Sequence, residues 1–341
     1  MTTIRIAAVQ AEPGWLDLAA TVDKTIALIS EAASEGAELI AFPETWLPGY
    51  PIFLWAYPVP EQIPFFARYH ANSPTTDGPE IAAISEAAKA GNITVVLGLS
   101  ERDHGSLYMG QLIIGPDGEI QLQRRKLKPT HAERMLFGEG DGSHLRVIDT
   151  HVGRLGALNC WEHLQPLVKY SLMAQHEQIH VAGWPCFGIF SEHPSLGASA
   201  SADVSRTYAL EGGSFVVVAS QIISAEGAQN FVMNGEPSPI IDGGGGIARV
   251  YGPDGALLTT PLPFDEEGLV YANVDLADID IAKTFADPVG HYSRPDVFTF
   301  AVDRTARSAA QVGAIEAVGV TSAPSSDATS ASEATREDDA V

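Results

Sequence analysis

The chain is short of cysteine, of basic residues and of long apolar runs. Two cysteines in 341 residues, Cys160 and Cys186, cannot make a disulfide framework, so a reducing, cytoplasmic setting is expected. Lys and Arg number 20 against 43 Asp and Glu, a formal charge of −23. A surface this acidic repels phosphate backbones and anionic lipid, which excludes nucleic acid and membrane as main partners. Solubility is the ordinary use of such acidity. No stretch approaches the roughly 18 apolar residues of a transmembrane helix. The start, MTTIRIAAVQ, has no basic segment ahead of an apolar one and reads as a buried strand, so no secretory signal is expected. Aromatic residues are absent after Phe300, and residues 304–341 are rich in Ala, Ser, Thr and acids. That stretch has too little apolar surface to offset its ordering entropy and is expected to be a disordered acidic tail, leaving residues 1–303 as the folded domain.

What is present suits a sizeable core: 45% hydrophobic and 18% charged residues. Strand and helix patterns alternate. Ile4 to Val9 is apolar and β-prone, 18–35 carries apolar residues at helical spacing, and Leu39 to Phe42 is a short buried strand ending at Pro43-Glu44. Residues 78–90 read as a helix, Ile93 to Leu99 as a strand, 153–159 as a strand ending at Cys160, and 163–174 as the helix after it. A short strand over 178–183 and a helix over 197–212 follow. The alternation predicts an α/β layered fold with helices over the sheet. Gly-Pro-Asp-Gly occurs at 115–118 and again at 252–255. Each is a tight-turn sequence, so each half of the chain is expected to carry an antiparallel hairpin.

Three strand ends carry chemistry. Cys160 sits between a strand and a helix, where a nucleophile is exposed at a sheet edge and backbone N–H groups face its target. A lone cysteine is more often plain core. Phe42-Pro-Glu44 puts a carboxylate after another strand, and Arg124-Arg-Lys126 puts an ammonium after a third. Each alone reads as an ordinary turn residue, but Glu, Lys and Cys can converge at one edge of a sheet, where an α/β fold builds its sites; fold alone does not prove one. A rival is His176-Glu177-Gln-Ile-His180, a literal His-Glu-x-x-His, which on a helix binds zinc with Glu177 as base. The apolar run from Ile179 reads as a strand instead. Residues four apart would then lie about 13 Å apart, too far for one metal. A third reading keeps the fold as a scaffold without activity.

Glu-Thr-Trp-Leu-Pro-Gly-Tyr-Pro (44–51), Arg-Lys-Leu-Lys-Pro-Thr-His-Ala-Glu-Arg (125–134), Leu-Asn-Cys-Trp-Glu-His-Leu-Gln-Pro-Leu (158–167) and Asp-Pro-Val-Gly-His-Tyr-Ser-Arg-Pro-Asp (287–296) decide among these. Their order and extent, over about residues 4–300, resemble the nitrilase superfamily of carbon–nitrogen hydrolases. The match is closest to the nitrilase branch, and within it the chain is most similar to bacterial arylacetonitrilases. The resemblance implies a four-layer α-β-β-α sandwich, a homodimer that often extends into larger spirals, and a Glu44–Lys126–Cys160 triad. It places the catalytic lysine at Lys126, with Lys128 a neighbour on the same strand face. It adds a second glutamate, Glu133, catalytic or else paired with Arg125 or Arg134. Trp55, Phe137, Trp161, Trp184 and Pro185 lie in or near the motifs and are the candidate lining of an apolar pocket. The implied reaction hydrolyses a small-molecule nitrile to its acid and ammonia, a chemistry that requires no metal or organic cofactor. Cyanide hydrolysis and aliphatic amide hydrolysis are the alternatives within the superfamily.

Overall fold

Strand β1 (Thr3–Ala11) is buried on both faces. Ile4, Ile6 and Ala8 enter one core, while Ala7, Val9 and Ala11 enter another. A two-residue side-chain period on a strand covered from both sides produces this split. The computed structural model describes residues 3–233 and 235–307, and most of the expected tail lies outside them. The remaining strands are β2 (Leu39–Ala41), β3 (Thr94–Asp103), β4 (Ser106–Ile114), β5 (Ile120–Arg125), β6 (Phe137–Gly138), β7 (Ile148–Thr150), β8 (Gly153–Asn159), β9 (Ile179–Trp184), β10 (Phe215–Gln221), β11 (Val232–Met233), β12 (Glu236–Pro237), β13 (Arg249–Tyr251) and β14 (Gly268–Asp275). The helices are α1 (Leu18–Ser34), α2 (Phe53–Ala56), α3 (Val59–Ala71), α4 (Pro79–Gly91), α5 (Pro166–Met173), α6 (Ala198–Gly212), α7 (Ala225–Ala228) and α8 (Ala277–Phe285).

The strand order β5-β4-β3-β2-β1-β10-β9-β8-β7 hides a division. β1 meets β10 only at Gln10↔Ser220 and Ala11↔Gln221; over the rest of its length β14 takes that edge, from Thr3↔Asp275 to Gln10↔Gly268. β13 likewise caps β10. Two sheets therefore splay from one shared end. Three cores correspond to the three interfaces of a four-layer sandwich. Between the sheets, Ile6, Leu39, Val96 and Ile113 face Leu155, Val181, Val217 and Val250. Outside the first sheet, Val9, Ile40, Val95 and Leu112 pack on Val22 and Ile29 of α1 and Ile81 and Ile84 of α4. Outside the second, Leu158, Ala182 and Val218 pack with Val168 and Leu172 of α5 and Tyr208 and Ala209 of α6. The α-β-β-α architecture expected from the sequence is the one observed.

Local chemistry sets the boundaries. The Asp17 carboxylate caps α1 by accepting from Ala20 N at 3.0 Å, and α4 starts on Pro79 and ends at Asn92 in the left-handed region. The turn at 115–118 joins β4 to β5, with Gly118 at φ +83°. The turn at 252–255 is also a hairpin, but its second arm is a single bridge, Tyr251↔Leu257. The helix expected over 163–174 is two pieces: a 3-10 turn Cys160–Leu164, then α5. Pro166 has no N–H to donate to the preceding turn, so the backbone breaks before it and restarts with Pro at its first position. Among the described residues no helix is long and apolar enough to cross a membrane.

Candidate active site

Cys160 follows β8 directly and adopts φ +45°, a left-handed conformation that costs energy for a residue with a Cβ. Glu162 holds that bend. Its Oε2 accepts from Asn159 N at 2.9 Å, closing a capping box over the 3-10 turn. Its Oε1 accepts from Leu127 N at 2.8 Å, and the Arg124 guanidinium donates to both oxygens at 2.7 and 2.9 Å. Arg124 also donates to Gln111 Oε1 at 2.5 Å, and Gln111 Nε2 donates to Leu158 O at 3.2 Å. These buried groups bolt the end of β5, in one sheet, to the end of β8, in the other. Burial alone would push the Glu162 carboxyl up; the Arg124 charge and the N–H donors outweigh it and hold the group below its ordinary value.

β5 delivers Lys126, whose backbone N–H donates to Met109 O at 2.7 Å. β2 delivers Glu44, whose carbonyl accepts from Gln221 Nε2 at 2.7 Å. A Cβ on Gly98 would stand 2.0 Å from Pro43 O, so the loop bearing Glu44 fits only over glycine. Lys126 Nζ donates to Glu44 Oε1 at 2.8 Å and to Glu133 Oε2 at 2.8 Å, all three side chains being 0–1% exposed. Glu133 also accepts from Tyr50 OH at 2.8 Å and Thr130 N at 2.6 Å. Glu44 Oε2 has no hydrogen-bond partner among the described residues. Acceptor oxygens of Glu44 and Glu133 and the Cys160 sulfur lie within 4.8 Å of one another.

The cluster already holds its cation. Burial disfavours a charged Lys126, but the two carboxylates outweigh it and push the ammonium above its ordinary value. Burial pushes Glu44 up to about 8, with the Glu133 charge adding and Lys126 opposing. The two shifts pull against each other, since attraction to Lys126 alone would lower Glu44. The ammonium, equally close to both carboxylates, has in Glu133 a fixed counterion with three donors. Glu44 keeps an unsatisfied oxygen and is the member free to take a proton. Burial and then the Glu44 charge push the Cys160 thiol well up, against Lys126 and the Trp161 N–H. The sulfur therefore rests as a thiol and needs a base beside it.

The thiol opens on a narrow pocket. Trp55, Trp161 and Pro185 lie on its wall together with Tyr50, Phe187, Phe190 and Leu196. Trp55 Nε1 donates to Tyr50 OH at 3.0 Å, so one aromatic wall is tied to the Glu133 carboxylate. Phe137 and Trp184 are not on that wall. Phe137 lies in β6 against Tyr69, and Trp184 donates from Nε1 to Ser205 Oγ at 3.0 Å and stacks on His163. Glu133 pairs with neither arginine. Arg125 is engaged by Glu101 and Asp103, and Arg134 Nε donates to His131 O. β5 stops at Arg125, so Lys128 lies beyond the strand; its half-exposed side chain pairs with Glu139. Cys186 is buried, with Sγ 3.1 Å from Gly244 O. The histidines of the rival motif do not share a site: His176 is exposed at φ +58°, whereas His180 is buried in β9 and bonded to Glu177.

Sequence reasoning missed Glu162, Arg124, Gln111 and Tyr50. Arg124 carried a signal: on β5 the charged and polar residues face outward, and an arginine in register with buried Leu122 must meet a buried acceptor.

A sandwich that gathers a buried thiol, a lysine and two carboxylates beside one pocket has the make-up of a thiol hydrolase of α-β-β-α architecture. The sequence pattern of the carbon-nitrogen hydrolase family matches residues 5–284, and the chain belongs to that family. Among its relatives, an aliphatic nitrilase of Rhodococcus rhodochrous is 52% identical over 87% of this chain and 82% of its own. A bromoxynil-specific nitrilase of Klebsiella pneumoniae subsp. ozaenae is 48% identical, over 89% and 86%. An arylacetonitrilase of Aspergillus niger is 46% identical, over 89% and 93%. A carbon-nitrogen hydrolase from Helicobacter pylori has a similar fold, with TM-score 0.66 at 19% identity over 86% of this chain and 97% of that one.

Proposed function

We propose that this chain is a nitrilase that hydrolyses an organic nitrile to the carboxylic acid and ammonia. The observation that carries the reading is the Glu44–Lys126–Glu133 cluster set against the Cys160 thiol. Relatives named nitrilases, at 46–52% identity over most of the chain, support it. Glu44 takes the thiol proton as sulfur adds to the nitrile carbon, and returns it to the nitrogen, leaving a neutral thioimidate. Lys126 and the Trp161 N–H stabilise the negative charge that develops on nitrogen. Glu44 then deprotonates a water that adds to the thioimidate carbon, and the nitrogen leaves as ammonia with the protons it has gained. A thioester remains. A second water, activated by the same carboxylate, releases the acid and restores the thiol. Expulsion of sulfur rather than ammonia at the first tetrahedral stage yields an amide by-product.

The aromatic lining, Trp55, Trp161, Phe187 and Phe190, supports an arylacetonitrile as preferred substrate. The test is ammonia and acid release from phenylacetonitrile, benzonitrile, an aliphatic dinitrile, cyanide and the matching amides. Phenylacetonitrile is expected to turn over fastest, with acid as main product. Faster turnover of the amides would make the chain an amidase, and of cyanide a cyanide hydrolase. We further read the chain as a homodimer extending into spirals, supported by exposed Leu167, Tyr292 and Phe298 around one apolar groove. Two free, buried cysteines support a cytoplasmic setting.

A further inference from the structure

Behind the nucleophile runs a buried chain of hydrogen bonds that the reaction above does not use. Tyr208 OH lies 2.5 Å from Glu177 Oε2, Glu177 Oε1 lies 2.8 Å from His180 Nδ1, His180 Nε2 lies 2.8 Å from His163 Nε2, and His163 Nδ1 lies 2.6 Å from the Cys160 carbonyl oxygen. All four side chains are 0–2% exposed. They come from α6, the segment before β9, β9 itself and the 3-10 turn after Cys160. Space has been left for the chain: a Cβ on Gly156 would stand 2.0 Å from Glu177 Oε1. The rings are fixed as well, His180 stacked on Tyr208 at 3.8 Å and His163 on Trp184 at 5.2 Å.

Donor and acceptor counting gives the chain one direction. A carbonyl only accepts, so His163 Nδ1 carries hydrogen. The two Nε2 atoms face each other, so a neutral His163 must accept there and His180 must donate. One proton is then left for the Glu177–His180 contact, and Tyr208 donates to the far oxygen of Glu177. Every bond is satisfied in that arrangement, and a second proton on His163 would set two N–H groups against each other.

We infer that Tyr208, Glu177, His180 and His163 form a positioning relay that fixes the Cys160 backbone, and so its sulfur, in the attacking orientation. The relay ends on the carbonyl of Cys160, itself held in a left-handed conformation at φ +45°, where a rotation of the peptide would move Sγ. Glu162 fixes the front of this turn through Asn159 N, and His163 fixes its back through Cys160 O. Burial pushes Glu177 up to about 8 and holds both imidazoles well below their ordinary value, which agrees with a protonated Glu177 and neutral rings. Arg124, which faces His180, works in the same direction, against Glu162.

The test uses two polar substitutions of similar size. His163→Asn keeps a donor where Nδ1 stood and loses the reach to His180; His163→Gln keeps the reach and loses the donor to Cys160. If the relay acts through the Cys160 carbonyl, His163→Asn lowers kcat by less than about tenfold and His163→Gln by about a hundredfold, the scale of a slightly misplaced reacting group, with KM little changed. Glu177→Gln, which can donate to His180 and accept from Tyr208, is expected to stay close to the parent. The inference rests on the nitrilase reading, so a substrate-independent readout accompanies it: the rate at which iodoacetamide alkylates Cys160, followed by peptide mass spectrometry. The same order, Asn above Gln, is expected there. If nitriles do not turn over but the alkylation order holds, the substrate reading fails and the relay stands. Equal or reversed effects of the two His163 variants, or loss of the melting transition in either, would overturn the relay.

Discussion

Cys160→Ala is expected to release no ammonia from any nitrile and to melt as the parent does. The sulfur is the atom that bonds the substrate carbon, and the chain's other thiol, Cys186, does not line the pocket. The substitution removes one atom from a buried residue and leaves the backbone constraint unchanged, because alanine carries the same Cβ into the same left-handed conformation. Cys186→Ala is expected to retain most activity, since its sulfur is turned toward Gly244 O and does not line the pocket. Ammonia release and thermal melting of both variants check this. Equal loss in the two would remove Cys160 from the role assigned to it.

Lys126→Arg is expected to lower turnover by at least about a hundredfold, the usual scale for losing a donor to developing negative charge. The site holds a compact ammonium 2.8 Å from each of two carboxylates, with no exposed surface into which a larger head could shift. A planar guanidinium keeps the charge, yet its fork suits one carboxylate end-on and crowds a point between two. Lys128→Arg is expected to be mild, because that side chain is half in water and pairs with Glu139 outside the cluster. Steady-state rates for the two variants decide it. A larger loss at Lys128 would reverse the assignment.

Several strand and helix positions were legible because those elements carry one clean period. The strand expected over 153–159 is observed as Gly153–Asn159, and the helix expected over 18–35 as Leu18–Ser34. The break at Gln165 was written in Pro166 but hidden by the apolar pattern running across it. Glu44, Lys126 and Cys160 were legible as ends of strands, a position where a fold exposes side chains at one edge. Their supports were harder to read. Glu162 looks like a solvated turn carboxylate until Arg124, 38 positions away, is placed on the neighbouring sheet. The cavity wall was half legible: tryptophans near the motifs are equally suited to core and lining, and register alone sent Trp184 inward to Ser205. Phe187, Phe190 and Leu196 sit in the irregular segment between β9 and α6, where no period announces a face.

The central claim is that a carbon–nitrogen bond is broken while the substrate carbon is held on Cys160. Acid-quenching the enzyme during steady turnover of phenylacetonitrile and mapping its peptides by mass spectrometry tests this most directly. The account predicts a phenylacetyl thioester on the peptide that carries Cys160, formed while ammonia is released, and none on the peptide that carries Cys186. An unmodified Cys160 during sustained turnover, or an acyl group on another side chain, would contradict it.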